Sequence, residues 1–442
     1  MRYFILTFGC QMNYSDSERI ASVLEKIGYK KSQKPEMADL ILINMCSVRQ
    51  MAVDRVYGKI NDFIKLKNKN RKIKIVITGC ILKSDKQKLK EKVDLILDIK
   101  DLEKLPKMLG SWYSIPKEEN YLRIKPKYQS VFSAPVPIMT GCNNFCSYCA
   151  VPYTKGREIS RPSEEILLEI RNLIKKNYKE IWLLGQNVNS YHSPISTNVA
   201  TNDTNRHSRK LVPKLVNIRD INFPKLLKVV NDIPGKFWIR FTSPHPKDFS
   251  DELINAVAES EKVTPYLNLP VQSGDDGILK KMNRPYNITH YKNLVKKIRK
   301  KIPDITLTTD VIVGFPGETK KQFKNTAKLF KEIKYDMAYI ARYSPRPGTA
   351  ASKLKDNVSF KEKEKRRLIL NEILKKTALE KNKKNIGKKV DVLSGNYKNG
   401  FLIGKTKHYK TIKFKGEKKL IGRFSKVKVT DAFAWRLEGC LL

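Results

Sequence analysis

The sequence predicts an α/β protein built of three segments, and two patterns along the chain support this prediction. Up to about residue 375, short apolar runs alternate with amphipathic helical stretches, which is typical of parallel sheets covered by helices. Beyond that point, short alternating runs at 389–393, 401–406, 411–414 and 425–430, separated by glycine-bearing turns, indicate a small β-barrel. We expect an N-terminal α/β domain at 1–118, a central partial (βα)6 TIM-like barrel at 128–375 and the C-terminal β-barrel at 376–442.

Three predicted strands of the first segment each lead to a cysteine. The strands lie at 3–7, 40–44 and 74–78, and the cysteines that follow them are Cys10, Cys46 and Cys80. A helix is predicted at 15–27, closed by Gly28. Any one of the cysteines could be a small buried hydrophobe, which is the commonest fate of a free cysteine. Because the carboxyl ends of parallel strands meet at one crevice, however, all three are expected to converge there as a cluster site.

The central segment repeats a unit of apolar strand, polar loop and helical stretch. Its six predicted strands lie at 136–139, 180–184, 237–241, 266–269, 306–313 and 337–343, and its predicted helices include 163–176, 290–301 and 321–333. Such alternation builds a parallel sheet whose C-terminal rim carries the functional loops. An unusual loop follows each strand, so one rim would gather six loops into one site. Six units in place of eight would leave the barrel laterally open, which suits a bulky substrate.

The first rim loop contains three of the seven cysteines of the chain, Cys142, Cys146 and Cys149. Iron–sulfur clusters are held by cysteine thiolates, and a run of three leaves one iron of a [4Fe-4S] cluster open to bind a reactive molecule. The alternatives are three free thiols or half of a zinc site. Structural zinc sites favour paired C-x2-C units, and this chain has no second C-x2-C. The spacing therefore favours a cluster with an open iron.

The formal net charge of +44 over 442 residues indicates a polyanionic partner. A general bias towards lysine and asparagine would explain much of this charge equally well. Arginine is more informative, because lysine cannot replace its planar guanidinium at a bidentate site. Five arginines lie in motif-like segments: Arg157, Arg161, Arg240, Arg284 and Arg346. The basic C-terminal barrel is of a kind that often binds oligonucleotides.

Neither a membrane span nor a secretion signal is predicted. No run approaches the ~18 apolar residues that cross a bilayer, and the apolar N-terminus lacks a small-residue cleavage site. Cysteines in motif spacing, without a disulfide framework, predict a reducing cytoplasm. A polar stretch at 193–222 predicts a surface insertion, 361–384 a solvated helix and linker, and Cys440 an uninvolved thiol.

The chain resembles the radical-SAM methylthiotransferases over nearly its full length. The resemblance rests on TFGCQMN at 7–13, YCAVPYTKGREISRP at 148–162 and LGQNVNSY at 184–191. That family joins an N-terminal methylthiotransferase domain, a radical-SAM partial barrel and a C-terminal TRAM domain, in the order of the three segments above. The departures are minor: Lys155 stands where arginine is common, and Ala150 where a larger apolar residue is common.

The resemblance implies two [4Fe-4S] clusters and S-adenosylmethionine (SAM) as cofactors. The cluster that binds SAM would be held by Cys142, Cys146 and Cys149, and an auxiliary cluster that carries the sulfur by Cys10, Cys46 and Cys80. Tyr148 would lie against the SAM adenine. The residues approaching its methionine end would be Gly185, Gln186 and Asn187, and the further cofactor contacts expected on later rim loops are Ser243, Gln272 and Gly314. No catalytic residue beyond the cluster ligands is expected, because the hydrogen that this family replaces, on C2 of an adenine, is not acidic.

The same resemblance implies the reaction and the partners. The chain is similar to the branch that methylthiolates C2 of N6-isopentenyl(dimethylallyl)adenosine beside the tRNA anticodon, with two SAM molecules. The TRAM barrel would hold the anticodon stem-loop through its phosphates. An electron donor such as a flavodoxin or ferredoxin and a sulfur source would be needed, and the protein is expected to be a cytoplasmic monomer without a membrane partner. The alternatives are methylthiolation of N6-threonylcarbamoyladenosine in tRNA or of a small-subunit ribosomal protein, and a non-enzymatic RNA-binding protein whose clusters sense redox state.

Overall fold

A computed structural model describes residues 1–48, 50–115, 121–194 and 221–442. Within these ranges, none of the helices combines the length and the apolar character that a membrane crossing requires. The insertion predicted at 193–222 falls, over 195–220, outside the described residues. Residues 116–118, at the end of the first predicted domain, also lie outside them.

The first segment is a five-stranded parallel sheet with helices on both faces. Its elements are β1 (Arg2–Thr7), α1 (Gln11–Lys26), β2 (Lys30–Lys31), β3 (Leu40–Cys46), α2 (Gln50–Lys69), β4 (Lys74–Cys80), α3 (Lys83–Leu89), β5 (Leu95–Ile96) and α4 (Leu105–Met108). The strand order is β2-β1-β3-β4-β5. All of β3 is buried, as expected of a strand covered on both faces. Leu40 and Leu42 pack on the side of α1, while Ile41 and Ile43 pack on the side of α2.

The central segment is an arc of parallel strands surrounded by helices. Its elements are β6 (Ser133–Pro137), β7 (Met139–Thr140), α5 (Val151–Thr154), β8 (Ile159–Ser160), α6 (Ser163–Lys175), β9 (Glu180–Leu184), α7 (Phe223–Asn231), β10 (Trp238–Phe241), α8 (Asp251–Glu259), β11 (Tyr266–Asn268), α9 (Asp276–Lys281), α10 (Ile288–Lys301), β12 (Thr306–Val313), α11 (Lys320–Ile333) and β13 (Met337–Arg342). The main core lies between these strands and the outer helices.

Six of these strands run parallel in chain order: β6, β9 and β10 form one sheet, and β11, β12 and β13 another. A parallel bridge between Ile239 and Val263 joins the two sheets. Among the described residues, the end strands β6 and β13 do not pair with each other. Tyr339 and Ala341, on the edge strand β13, are exposed. The predicted partial (βα)6 barrel with an open side is therefore confirmed.

The third segment begins with the long helix α12 and closes as a five-stranded barrel in the order β14-β15-β16-β18-β17. Its elements are α12 (Phe360–Lys383), β14 (Lys389–Lys398), β15 (Phe401–Thr406), β16 (Thr411–Lys415), β17 (Phe424–Ala432) and β18 (Leu437–Leu441). The first four strands were predicted, and β18 was not. Its sequence, LEGCL, lacks the β-branched and aromatic residues that mark a strand. The expected boundary at residue 375 falls inside α12.

The C-terminal barrel packs against the amino ends of the central strands. The buried Arg240 of β10 joins the two domains: Nε lies 2.7 Å from Glu180 Oε1, and Nη2 donates to the Thr406 carbonyl at 3.0 Å. Tyr409, at the tip of the β15–β16 hairpin, packs 5.1 Å from the ring of Trp182 and 4.5 Å from that of Tyr266. The hairpin thus closes the end of the arc opposite the rim loops.

Candidate functional site

The shape of the cysteine loop after β7 depends on its neighbours. The Cys142 N–H donates to the Gly156 carbonyl at 3.1 Å, and Gly141 has a φ of 81°. A Cβ on Gly141 would lie 1.9 Å from the carbonyl oxygen of Arg157, so only glycine fits this position. The Arg157 guanidinium stacks 4.5 Å from the ring centroid of Phe145, a residue held at a left-handed φ of 45°. The loop is therefore braced against the segment that follows it.

Hydrogen-bond donors face the sulfur atoms of this loop. Arg284 Nη1 lies 3.6 Å from Cys146 Sγ, and Asn144 Nδ2 lies 3.5 Å from Cys142 Sγ. Burial raises the pKa of Cys142, and burial together with Cys146 raises the pKa of Cys149 to about 12. Metal ligation takes thiolates and releases their protons, and the guanidinium and amide donors stabilise sulfur charge. This donor set fits a thiolate-bound cluster.

Strand register brings the second triplet to one sheet edge. Cys46 and Cys80 end β3 and β4 and are direct partners in the parallel ladder, which places their backbones about 4.8 Å apart. Cys10 joins them as the N-cap of α1. Gly9, at a φ of 140°, permits this approach, because a Cβ there would lie 2.9 Å from the Cβ of Cys46. The three cysteines, which are far apart in sequence, therefore lie side by side.

A buried pair of amides holds this edge together. Asn13 Nδ2 donates to Asn44 Oδ1 at 3.0 Å, and Asn44 Nδ2 donates to the Asn13 carbonyl at 2.7 Å. Asn13 Oδ1 in turn accepts from the Cys10 N–H at 3.4 Å. Burial raises the pKa of Cys80, and the Lys155 ammonium opposes that rise. Because both amides are fully buried, they fix the start of α1 relative to β3.

Two cations from the central rim reach the second triplet. Lys155, which follows the cysteine loop, is buried and lies 2.7 Å from Asp16 of α1. Burial acts to lower the pKa of Lys155, but the Asp16 carboxylate, together with Cys80 in its thiolate form, outweighs burial and raises that pKa. Arg346, from the last rim loop, donates to Gln50 Oε1 at 2.7 Å and acts electrostatically on Cys46. The rim that carries the first cysteine triplet is therefore in contact with the sheet edge that carries the second.

Two of the residues expected to approach SAM present unpaired buried oxygens. Gln186 Oε1 and Asn187 Oδ1 have no hydrogen-bond partner among the described residues, whereas Asn187 Nδ2 donates to Asp248 at 2.9 Å. Gly185 is closely packed, since a Cβ there would lie 2.6 Å from Met139 Cγ. Buried polar atoms are normally paired. Unpaired acceptors beside the cysteine loop therefore fit a polar ligand such as SAM.

The remaining expected contacts occupy special backbone positions. Ser243 and Gln272 have left-handed φ values of 59° and 67°, and Gly314 has a φ of 68°. The Gly314 N–H donates to Glu318 Oε2 at 2.6 Å. The left-handed φ is strained for Ser243 and Gln272, though not for a glycine, and such strained loop residues tend to occur at ligand sites. Tyr148 packs against an apolar cluster that includes Phe315.

Sequence reasoning missed several residues of the crevice. His245 has a buried Nε2 without a partner in the described part of the chain, and burial, with Arg284 and Lys247, lowers its pKa to about 2. Its imidazole is therefore neutral near neutral pH. A single histidine among proline residues carries no sequence signal. The contacts of Asp16 were also missed, because a charged residue on a helix is usually solvated.

In the described ranges, no three His, Cys, Asp or Glu side chains are arranged to hold a metal ion. The ligands of an iron–sulfur cluster are thiolates bound to different irons of one inorganic core. The assignment of each triplet to a cluster therefore depends on spacing, register and the donor groups described above.

Comparison with known proteins agrees with the three segments. The chain matches the family models of the Radical SAM superfamily at 136–330, the TRAM domain at 383–442 and "Uncharacterized protein family UPF0004" at 2–98. A solved structure of the radical S-adenosylmethionine methyltransferase TsrM from Kitasatospora setae aligns with a TM-score of 0.53 at 12% identity, covering 79% of this chain and 75% of that chain. That likeness shows the fold alone.

Full-length relatives are more specific. The tRNA-2-methylthio-N(6)-dimethylallyladenosine synthase of Thermoanaerobacter pseudethanolicus is 41% identical, over 100% of this chain and 92% of that protein. The protein of the same name from Dictyoglomus thermophilum is 40% identical, over 99% and 98%.

The fold and the cysteine loop thus define a radical SAM enzyme, which implies a [4Fe-4S] cluster and SAM as its cofactors. Within that class, the chain belongs to the family of the tRNA-2-methylthio-N(6)-dimethylallyladenosine synthases. The predicted family and three-domain fold are confirmed.

Proposed function

We propose that this protein replaces the C2 hydrogen of N6-isopentenyladenosine, beside the anticodon of tRNA, with a methylthio group. The names of the full-length relatives support the substrate and the product. The observation that supports the proposal is the contact between the central rim, which bears one cysteine triplet, and the N-terminal sheet edge, which bears the other. Lys155 and Arg346 of the rim make this contact with Asp16 and Gln50. One triplet is enough to hold the cluster that binds SAM, so the second triplet would be available for a cluster that delivers sulfur.

The same geometry supports a proposal for the cofactor sites. Cys142, Cys146 and Cys149 would hold the cluster that binds SAM. Cys10, Cys46 and Cys80 would hold a second [4Fe-4S] cluster. When bound, the two clusters supply reductive cleavage of SAM and a sulfur atom for transfer.

The side chains of this protein bind and orient the reactants. Arg284 and Asn144 would stabilise charge on the cluster thiolates, since both donate towards sulfur. Gln186 and Asn187 would use their unpaired oxygens as acceptors for SAM donors, with Tyr148, Gly185, Ser243, Gln272 and Gly314 as further contacts. The neutral His245 would serve as a polar contact and not as a cationic acid.

The wider setting of the reaction belongs to the same proposal. The TRAM barrel would bind the anticodon stem-loop, and a flavodoxin or ferredoxin would supply electrons. A separate sulfur source would reload the second cluster. The protein would act as a cytoplasmic monomer.

The test is mass spectrometry of tRNA nucleosides from cells that lack the protein, with and without its gene restored. We expect 2-methylthio-N6-isopentenyladenosine to disappear, N6-isopentenyladenosine to accumulate, and restoration to reverse both changes. An unchanged level of the methylthio nucleoside would contradict the proposal. Loss of methylthiolated threonylcarbamoyladenosine, or of a methylthiolated ribosomal protein, would assign the protein to another branch.

The cluster count is tested separately by iron analysis after anaerobic reconstitution. Replacing either cysteine triplet by alanine is expected to lower iron from about eight to about four per chain, because each site holds one four-iron cluster. Cys440→Ala is the matched control: this exposed thiol lies on β18 and should leave the iron content unchanged. About four irons in the intact protein would disprove the second cluster.

A further inference from the structure

A groove opens where the C-terminal barrel meets the amino ends of β11, β12 and β13. It has a cavity volume of about 160 Å³. Tyr266 and Tyr339 line it from the central strands, Tyr409 from the β15–β16 hairpin, and Trp435 from the turn between β17 and β18. We call this cavity the junction groove. Ligand pockets for drug-sized molecules measure ~300–1,000 Å³, so the junction groove suits a single flat ring system.

The aromatic residues of the junction groove form an anchored inner wall and an exposed mouth. Tyr266 and Tyr409 pack with their ring centroids 4.5 Å apart and are held by Trp182 behind them. Tyr339 and Trp435, in contrast, are 46% and 44% exposed. Exposed rings on a fixed support bind nucleic-acid bases by stacking, because every base has a π-face. The mouth of the groove therefore offers exposed rings on which a base can stack, beside an anchored inner wall.

The charged residues of the groove favour an anion. Lys405, Lys410 and Arg436 line it together with a single carboxylate, Asp336. Lys410 lies 2.6 Å from Asp336, which also holds Lys381 at 2.7 Å, so this carboxylate is fully engaged. Burial lowers the pKa of Lys405, and the nearby Arg240 lowers it further. Arg436 is paired with Glu438 at 3.1 Å, whereas Lys405 Nζ donates to the Thr411 hydroxyl at 2.8 Å and forms no salt bridge among the described residues. A bound phosphate would give Lys405 a direct ionic partner.

The junction groove lies far from the cysteine loop. Thr308 lines the groove near the start of β12, and Gly314 lies at the rim just beyond the end of the same strand. Six residues of extended chain span ~20 Å at ~3.3 Å each. A nucleotide in the groove is therefore not the one that reacts at the rim.

We propose that the junction groove binds one unpaired nucleotide of the anticodon loop, other than the reacting adenosine. Its base stacks on Tyr339 and Trp435, and its phosphate lies beside Lys405 and Arg436. This inference rests on the proposed function, since tRNA supplies the loop. An acidic peptide would satisfy the charges of the groove but would leave its flat exposed rings without a matching surface.

The experiment uses the full-length protein and a hairpin RNA of the anticodon stem-loop that carries N6-isopentenyladenosine. Dissociation constants are measured by fluorescence anisotropy for wild type, Trp435→Ala and Lys405→Gln. Trp435→Ala, which loses one stacked base, is expected to weaken binding ~10-fold. Lys405→Gln, which loses one phosphate contact, is expected to reduce the slope of log K against log salt concentration by ~1. Trp435→Phe keeps a stacking ring and should largely restore affinity. The matched controls, Trp112→Ala and Lys296→Gln, change exposed residues outside the groove and should bind like wild type.

An abasic scan of the hairpin loop then identifies the nucleotide. In wild type, removing the base that occupies the groove should weaken binding, and in Trp435→Ala the same removal should have no further effect. The proposal is wrong if Trp435→Ala binds as tightly as wild type, or if no abasic position couples to Trp435. It is also wrong if the substitutions weaken binding of an acidic peptide and leave RNA binding unchanged.

The outcome for the groove is separable from that for the proposed function. SAM cleavage by reduced protein without RNA, and methylthiolation at saturating hairpin, are measured on the same preparations. Groove variants should keep both within about twofold of wild type while KM for RNA rises, because the contact is remote from the reacting atoms. If wild type does not methylthiolate the hairpin, the proposed function fails. If wild type methylthiolates the hairpin but the groove variants bind RNA as tightly as wild type, the groove proposal fails and the proposed function stands.

Discussion

Removing one partner of the buried pair Lys155–Asp16 should loosen the N-terminal domain from the central barrel. The two side chains are 1% and 0% exposed and lie 2.7 Å apart. In Lys155→Met, the Asp16 carboxylate remains buried without its cation, and in Asp16→Asn the Lys155 ammonium remains without its anion. Breaking a buried pair from one side costs ~3–5 kcal/mol. If that cost appears as local opening, α1 opens ~100- to ~5,000-fold more often.

Hydrogen exchange of the α1 amides measures this opening directly, and it avoids the assumption of two-state unfolding in a chain of several domains. The double variant Lys155→Met/Asp16→Asn has no stranded charge and should exchange more slowly than either single variant. Lys297→Met is the matched control, because its pair with Asp251 is 60% and 71% exposed and such pairs contribute at most ~1 kcal/mol. Additive effects of the two single substitutions would refute the reasoning, since they would show that Lys155 and Asp16 are not coupled.

Three further predictions concern the loop, the barrel junction and pH. Gly141→Ala should remove about half of the reconstituted iron, because its Cβ would collide with backbone, whereas Gly110→Ala, at the same φ of 81° with nothing within 4 Å, should keep all of it. Arg240→Met leaves the buried Glu180 carboxylate unpaired, so limited proteolysis should release the C-terminal barrel faster than from wild type; equal rates would contradict this. Burial raises the pKa of Glu18 from 4.5 to about 7. The folded protein therefore binds the extra proton, and stability falls as pH rises from about 4.5 to about 7, by ~3 kcal/mol in all. Glu18→Gln should slow exchange of α1 amides at pH 8 and leave it unchanged at pH 4.5.

The sequence predicts the strands well where burial on both faces leaves an apolar run. The predicted bounds 180–184, 306–313 and 401–406 are those of β9, β12 and β15. The start of α1 was placed too late, at 15 instead of Gln11, because the first turn is polar. Those polar residues are buried: Asn13, Asp16 and Arg19 are each 0% exposed. A helix whose polar face packs against a second domain has no sequence signature, because its partners lie in distant segments.

The two triplets differ in how much of each is visible in the sequence. Local spacing within one loop was enough to find Cys142, Cys146 and Cys149, whereas the other triplet required parallel strands in register. The sequence does not predict the contacts that join the N-terminal domain to the central barrel, and Lys155 is an example. A lysine donates from a single point, so it satisfies Asp16 Oδ2 and leaves the buried Oδ1 without a partner in the described residues. The fork of an arginine, which the family resemblance leads us to expect at this position, can reach both oxygens of a carboxylate. A lysine in place of the expected arginine is thus a physical difference at the contact between the N-terminal domain and the central barrel, although one cation for another is a conservative substitution.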